Sequence, residues 1–200
     1  MTTFTANPSG DTVLASGAAT TNYDTLDPLY LGESNVSSNA YRDLLKFDLS
    51  SIPTNAIVSS ATLRLNMSAN VWGAGGTTVQ VYRQLRAWVS AQATWNIYST
   101  GNNWATAGGF GAADCEQTGI GSLVQNTASG TGNQTWTLTA SAVQQMISGG
   151  FTNNGFLMKA DSEIDMYGTY ISNENGTPGN RPLLTIEYTL PVGGNIMWWF

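Results

Sequence analysis

Three acidic residues in the last quarter of the chain are spaced for metal or acid–base chemistry. Asp161, Glu163 and Asp165 alternate with other residues, so on a strand their carboxylates would point the same way, about 7 Å apart at successive positions. Ca²⁺ prefers oxygen ligands of this kind, and a glycosidase needs two carboxylates about 5–10 Å apart. A hydrated turn that pairs with Lys159 or Arg181 is the third interpretation. A structural calcium ion is therefore the one cofactor that the sequence suggests.

Other reactive side chains are scarce. Asp24 and Asp27 in the first loop are a second candidate for calcium. Histidine is absent from the sequence, which excludes histidine-based triads and most zinc sites. The single cysteine, Cys115, stands between Asp114 and Glu116, and these negative charges should raise the pKa of its thiol. We predict a structural role for Cys115 and no internal disulfide.

Seven tryptophans are many for a chain of 200 residues. An exposed indole face can stack on a sugar ring, whereas a buried indole only packs a core. The sequence context of Trp88, Trp95 and Trp136 is alternating, which favours burial. Trp72 lies beside a glycine run and Trp104 lies in a long glycine-rich segment. We therefore predict Trp72 and Trp104 as the candidate sugar contacts.

The final residues form an unusually apolar tail. After a linker at residues 190–195, the chain continues with Ile196, Met197, Trp198, Trp199 and Phe200. Burying three such aromatic side chains is worth on the order of 10 kcal/mol before ordering costs. We predict an assembly arm that packs against a neighbouring subunit of a homodimer or homotrimer. Folding back onto its own domain and insertion into a membrane interface are the alternatives.

The elements that must position these residues are strands. Residues 41–66 contain two segments in which apolar side chains alternate with polar ones, the pattern of a half-buried strand. The apolar positions are Leu45, Phe47 and Leu49 in the first segment and Ala61, Leu63 and Leu65 in the second. Pro53 and short polar residues between them supply a turn. An antiparallel all-β protein follows.

The rest of the chain extends this pattern. Further strands are predicted at residues 12–15, 30–32, 77–85, 156–160, 166–172 and 183–188, and residues 101–132 are predicted as a long loop. Thr139 as N-cap and Gly149 at the C-terminal end bound one helix. The fold class is thus a jelly-roll-type antiparallel β-sandwich with one short helix. Residues 1–189 form a single domain, and residues 190–200 form the linker and arm.

The motifs along the chain resemble a known family. The segments LLKFDLSSIP, at residues 44–53, and SATLRL, at residues 60–65, resemble the opening motif of the DNRLRE domains. Later segments resemble that family's motifs in the same order: Trp88 with ATWN at 93–96, GNNW at 101–104, residues 138–145, NNGF at 153–156, SNE at 172–174 and RPLLTIEY at 181–188. The resemblance covers residues 10–189. It implies a β-sandwich module grouped with carbohydrate-binding modules.

Composition narrows the possible partners. Only 10% of the residues are charged, against about 25% in ordinary soluble domains. A net charge of −6 with seven Lys and Arg residues argues against nucleic-acid binding, because that affinity comes largely from cations that neutralise phosphates. No stretch approaches the ~20 apolar residues of a membrane span. A surface of neutral polar groups suits sugar contacts or a crowded assembly.

The start of the chain bears on its location. The segment MTTFTANPSGDTVL has neither the positive charge nor the apolar run of ~7–15 residues that an export signal needs. We expect a complete chain that is not exported by the general secretory route, and a signal removed upstream is the alternative.

Together these features favour a non-enzymatic structural protein on the surface of a larger assembly. A virus or phage particle fits, with this chain as a capsid decoration or fibre protein located on the virion surface or outside cells after release. The alternative is a carbohydrate-binding module that holds polysaccharide or host glycans, as the resemblance implies. A polysaccharide-cleaving enzyme is the third interpretation, and it rests only on the acids at 161–165.

Overall fold

The computed structural model describes residues 1–34 and 38–191. Within these ranges the chain forms one α-helix, α1 at Ala140–Ser148, and antiparallel β-strands. The strands are β1 Thr2–Ala6, β2 Gly10–Ala15, β3 Leu29–Ser34, β4 Asn39–Lys46, β5 Ile57–Val71, β6 Thr77–Arg83, β7 Ile97–Ser99, β8 Asn102–Asn103, β9 Gly121–Gln125, β10 Gly132–Leu138, β11 Phe156–Ala160, β12 Tyr167–Tyr170 and β13 Leu183–Thr189.

Eight strands close into a barrel. The pairings run from β5 through β10, β9, β6, β11, β4, β3 and β12 and return to β5. Strands β13 and β1 extend the sheet beside β5, β2 pairs with β4, and β7 with β8 forms a separate hairpin. The prediction of an all-β antiparallel fold with one helix is confirmed, although the strands close into a ring where two separate sheets were expected.

The long strand β5 organises the main core. Its side chains at Ala61, Leu63, Leu65 and Met67 are buried at every second position, as the pleat of a strand requires. Trp136 of β10 lies directly opposite Leu63, and its indole N–H donates to the carbonyl of Val79 at 2.9 Å. The apolar alternation seen in the sequence therefore marks the interior face of the barrel.

Helix α1 begins and ends where the sequence predicts. Gly149 has φ +82°, a conformation that glycine adopts without a steric penalty. Val143, Met146 and Ile147 are buried against the main core. Thr139 occupies the N-cap position, but its side chain makes no capping hydrogen bond. Packing of the apolar face, rather than the N-cap, is what holds this helix.

A second, smaller core covers the face of β2, β4 and β11 that points away from the main core. Leu14, Leu44 and Leu157 pack with Trp88 and Trp104 of the long connection after β6. These strands are buried on both faces, which explains why their sequences are apolar at consecutive positions. The segment 101–132 is therefore not simply a loop, since it packs against the sheet and contains β9. Along the described parts of the chain, no helix is long and apolar enough to span a membrane.

Candidate functional site

A cleft of about 190 Å³ lies beside β2 and the β3–β4 hairpin and is the candidate binding feature. It is lined by Val13, Tyr23, Leu26, Tyr30 and Tyr41. The three tyrosines are half-buried, so each ring is held by packing and still reaches the surface. Aromatic rings fixed in this way combine an apolar face with a polar hydroxyl. None of the three is among the site residues that the sequence predicted.

Pairing of β3, β4 and β12 brings two of these tyrosines, Tyr30 and Tyr41, close to a further one, Tyr167. The ring centroids of Tyr30 on β3 and Tyr41 on β4 are 5.1 Å apart, and Tyr167 on β12 lies 6.4 and 6.5 Å from them. The side-chain amide of Asn39 donates to the Tyr41 hydroxyl at 3.0 Å. Burial raises the pKa of Tyr41, so its phenol is neutral at physiological pH and can donate a hydrogen bond.

Two buried carboxyl groups lie on the same face of the sheet as the cleft. Val13 is paired with Asp43, and side chains two residues apart share a face, which places Asp11, Val13, Tyr41 and Asp43 together. One oxygen of Asp11 accepts from the backbone N–H of Asn173 at 3.0 Å. One oxygen of Asp43 accepts from the N–H of Tyr30 at 3.2 Å. The other oxygen of each has no hydrogen-bond partner among the described residues.

Burial changes the acidity of both groups. Asp11 is 1% exposed and Asp43 is 0% exposed. Burial, and then the nearby charge of Glu174, raises the pKa of Asp11 to about 7. Burial, and then Asp11, raises the pKa of Asp43 well above its ordinary value. A buried carboxyl group without full hydrogen bonding takes up a proton because the charged form is poorly solvated. An aspartate within a mostly apolar strand is the sequence signal that could have identified this pair.

Trp72 does not offer a face to a sugar. Its side chain is 2% exposed and lies close to Gly32 and Gly168, where an added Cβ would collide with the indole. Gly32 also has φ +106°, which side chains rarely adopt. Trp72 therefore packs in the main core, and the exposure that its predicted role required is missing.

Trp104 is buried for a different reason. It is 5% exposed, and its indole N–H donates to the carbonyl of Thr94 at 2.9 Å. The ring centroid of Tyr98 lies 5.5 Å away. Trp104 thus anchors its own segment to the second core, because a large apolar ring gains more from burial than from solvent contact. It too presents no free face for stacking.

The three acids at 161–165 do not form one cluster, because the surroundings of each carboxylate are different. The carboxylate of Glu163 accepts two bonds from Arg42, at 2.8 and 2.9 Å, and lies 3.5 Å from the Lys159 ammonium. Asp161 accepts from Gln80 at 3.2 Å, and Asp165 is exposed. In residues 1–34 and 38–191, no three acidic, cysteine or histidine side chains are grouped to hold a metal. The contact with Lys159 agrees with the third interpretation, but the main partner of Glu163 is Arg42 rather than Arg181, and the pair is largely buried rather than hydrated.

Two further predictions concern Cys115 and the apolar tail. Cys115 is buried, and burial, then the charge of Asp114, raises the pKa of its thiol to about 12, the direction that the sequence predicted. The predicted assembly arm, Ile196, Met197, Trp198, Trp199 and Phe200, lies outside the described residues.

Comparison with known proteins identifies a different family from the one that the motifs resembled. The family model described as the disaggregatase related repeat domain matches residues 11–186. The chain does not match the DNRLRE family, so the resemblance was wrong. Its opening motif, LLKFDLSSIP with SATLRL, lies mostly in β4, β5 and their connection. Alternating apolar residues and turn residues recur in unrelated antiparallel sheets. No curated protein matches this chain.

Proposed function

This chain belongs to the disaggregatase related repeat domain family, and from that premise we propose that it is a non-catalytic module that binds carbohydrate. The observation that carries the proposal is the cleft of about 190 Å³ with Tyr23, Tyr30 and Tyr41 in its wall. The family name describes a repeat domain, which is a unit that occurs together with other units. Ligand binding is a function that such a unit can contribute. The cleft replaces Trp72 and Trp104 as the sugar-contact site.

The chemistry of the cleft favours a neutral sugar. All five lining residues are uncharged, and rings such as Tyr30 and Tyr41 can pack against the C–H face of a sugar while their hydroxyls bond to its hydroxyls. The nearest buried acids, Asp11 and Asp43, are on the same sheet face. Any negative charge on them would repel an anionic ligand. A neutral saccharide therefore suits the cleft better than a uronate or sulfated sugar.

Two observations support a non-catalytic role. Asp11 and Asp43 have raised pKa values, which a general acid requires, but both are almost completely buried and cannot reach a substrate. Glu163 is held by two bonds from Arg42. An acid engaged in this way is not free to protonate a leaving group or to attack a sugar.

We also infer that the barrel has jelly-roll topology. When the eight strands of the ring are counted in chain order, the first pairs with the eighth and the second with the seventh. The third pairs with the sixth and the fourth with the fifth. Nested pairs of this kind arise when one long antiparallel ribbon wraps around a barrel, which is the arrangement of a jelly roll with two Greek keys.

A second proposal is a structural component of a surface assembly, such as a virus or phage particle, in a homodimer or homotrimer. The charged fraction of 10% favours it, because long-lived packing against neighbours needs few charges to be desolvated. Sugar binding and assembly are compatible in one module.

Calorimetry against soluble neutral and acidic polysaccharides tests the binding proposal. We expect wild type to bind at least one neutral polysaccharide, and Tyr30→Ala or Tyr41→Ala to weaken that binding at least about tenfold through lost ring contact. Tyr188→Ala is the matched control because Tyr188 packs against the main core but does not line the cleft. Circular dichroism checks that each variant is folded. If wild type binds no member of the panel, or if the cleft variants bind as wild type does, the proposal is wrong.

A further inference from the structure

Two parts of the wall of the cleft of about 190 Å³ are joined by one loop. This bridging loop, at residues 172–175, follows β12. The backbone N–H of Asn173 donates to Asp11 of β2 at 3.0 Å. The backbone N–H of Ser172 donates to Asp27, in the connection between β2 and β3, at 3.0 Å. The bridging loop therefore ties strand β2 to that connection.

Both tied segments carry side chains of the cleft. Asp11 precedes Val13 by two residues on β2, so the two side chains share a face. Asp27 directly follows Leu26, and Tyr23 lies in the same connection. Val13, Tyr23 and Leu26 all line the cleft. A movement of the bridging loop away from Asp11 therefore changes the spacing of the cleft walls.

Four acids meet where the bridging loop contacts β2. The carboxyl group of Glu174, in the loop, lies within hydrogen-bonding distance of the Asp11 carboxyl, and the charge of Asp24 acts on the same group. Asp43, on the neighbouring strand β4, is also near Asp11. In residues 1–34 and 38–191, the ion pairs of Lys and Arg involve other acids. Among these described residues, no ion pair offsets the negative charge at the contact.

One proton changes the sign of this contact. Asp11 is 1% exposed, and one of its oxygens receives no hydrogen bond from the described residues. A protonated carboxyl group can donate to its neighbour, whereas two ionised groups only accept and repel each other. Burial, and then the charge of Glu174, raises the pKa of Asp11 to about 7. The contact is therefore attractive below this pH and repulsive above it.

We propose that the contact between Asp11 and Glu174 is a proton-dependent clamp on the cleft wall, closed when the two carboxyl groups share a proton and released when both are ionised. Release separates the bridging loop from β2, and the connection that carries Tyr23 and Leu26 loosens with it. Binding of a neutral sugar should therefore weaken as the pH rises. This control of binding rests on the proposed function, whereas the clamp itself does not.

Hydrogen exchange of the free protein tests the clamp without any sugar. Glu174→Gln replaces the charge by an amide that can donate to Asp11 at any pH. The N–H of Leu26 donates to the carbonyl of Tyr23 at 3.0 Å, so it is a protected reporter within the connection. At about pH 8.5 it should exchange at least about fivefold faster in wild type than in Glu174→Gln, and at about pH 5.5 the two chains should exchange alike.

Glu187→Gln is the matched control for this substitution. Glu187 lies on β13, where it accepts from the hydroxyl of Thr3 at 2.7 Å, and it lines neither the cleft nor the bridging loop. Its variant should exchange as wild type does at both pH values. A similar slowing of exchange in both variants would assign the effect to net charge and overturn the clamp.

Calorimetry then tests the control of binding with a neutral polysaccharide that wild type binds. Wild type should bind at least about tenfold more weakly at about pH 8.5 than at about pH 5.5, and Glu174→Gln should bind equally at both. Equal wild-type affinity at the two pH values overturns the control of binding, and equal exchange of wild type and Glu174→Gln at the higher pH overturns the clamp. If no polysaccharide binds, the proposed function is wrong, and hydrogen exchange alone decides on the clamp.

Discussion

Arg42 and Glu163 form a two-bond ion pair, in which Nε lies 2.8 Å from Oε1 and Nη2 lies 2.9 Å from Oε2. Arg42 also donates to the carbonyl of Gly108 at 2.9 Å, and its guanidinium lies 4.7 Å from the ring centroid of Trp95. One side chain on β4 thereby connects the turn before β12 to the long segment after β6. A bidentate and stacked geometry of this kind requires arginine.

The first prediction concerns this pair. Glu163→Gln should lower the free energy of unfolding by about 3 kcal/mol, because it leaves a largely buried guanidinium without its counter-charge. The two side chains are 11% and 15% exposed, so solvent screening is small. Urea denaturation measures the change. Asp165→Asn is the control at an exposed acid of the same turn, and equal effects of the two substitutions would contradict the role of the pair.

Calcium provides the second prediction. Since Glu163 is engaged by Arg42 and Lys159, we expect the thermal unfolding midpoint to be the same in millimolar calcium and in chelator. A ligand that binds only the native state must raise that midpoint. A calcium-dependent rise of several degrees would restore the calcium interpretation of Asp161, Glu163 and Asp165, and its loss in Asp161→Asn would assign it to this turn.

The third prediction concerns Arg83, which joins three parts of the fold. Its guanidinium donates twice to Glu116, at 2.7 and 2.8 Å, and donates to Gln145 of α1 at 2.8 Å. Arg83→Lys keeps the charge but cannot reproduce the forked geometry, so we expect a loss of about 2–3 kcal/mol in the free energy of unfolding.

Arg86→Lys is the matched control for that substitution. Arg86 is 41% exposed, and its Nε lies 3.6 Å from the buried carboxylate of Asp114 without a hydrogen bond. Lysine keeps the charge and gives up no forked bond there, so the same change should cost less than about 1 kcal/mol. Chemical denaturation measures both variants. A similar loss at the two positions would mean that the forked bonds of Arg83 contribute little.

The fourth prediction is a pH dependence that originates at Asp11. Its pKa is raised to about 7 in the folded protein and is about 3.9 in an unfolded chain. Between these values the folded state holds a proton that the unfolded state has released, so stability falls as pH rises, by about 1.4 kcal/mol per pH unit for one such group. Asp43 acts in the same direction, since its pKa is also raised.

Asp11→Asn tests the sign of this dependence. The variant should gain stability relative to wild type as pH rises from about 4 to about 7, as measured by urea denaturation at a series of pH values. Asp48→Asn is the control: hydrogen bonds from Ser50 lower the pKa of Asp48, so its own pH dependence lies below about pH 4 and its difference from wild type should stay constant across this range. If the difference between wild type and Asp11→Asn is constant with pH, Asp11 does not titrate in this window.

Local patterns predicted most elements of the fold. Alternation at Leu63 and Leu65 identified β5, and helical spacing with Gly149 identified α1, because both periods are set by backbone geometry within a few residues. Strands β1, β7, β8, β9 and β10 were not identified. β9 lies in a segment rich in glycine, where the run of alternating side chains is too short to distinguish a strand from a loop.

The sequence by itself therefore determined the antiparallel β class, the position of the helix and the absence of histidine. Only the tertiary structure decided that Trp72 and Trp104 are buried, that Tyr30 and Tyr41 meet at one cleft, and that Arg42 engages Glu163 across 121 positions. The reason is physical. Periodicity records which side of an element is apolar, whereas burial and pairing depend on which distant strand covers that side.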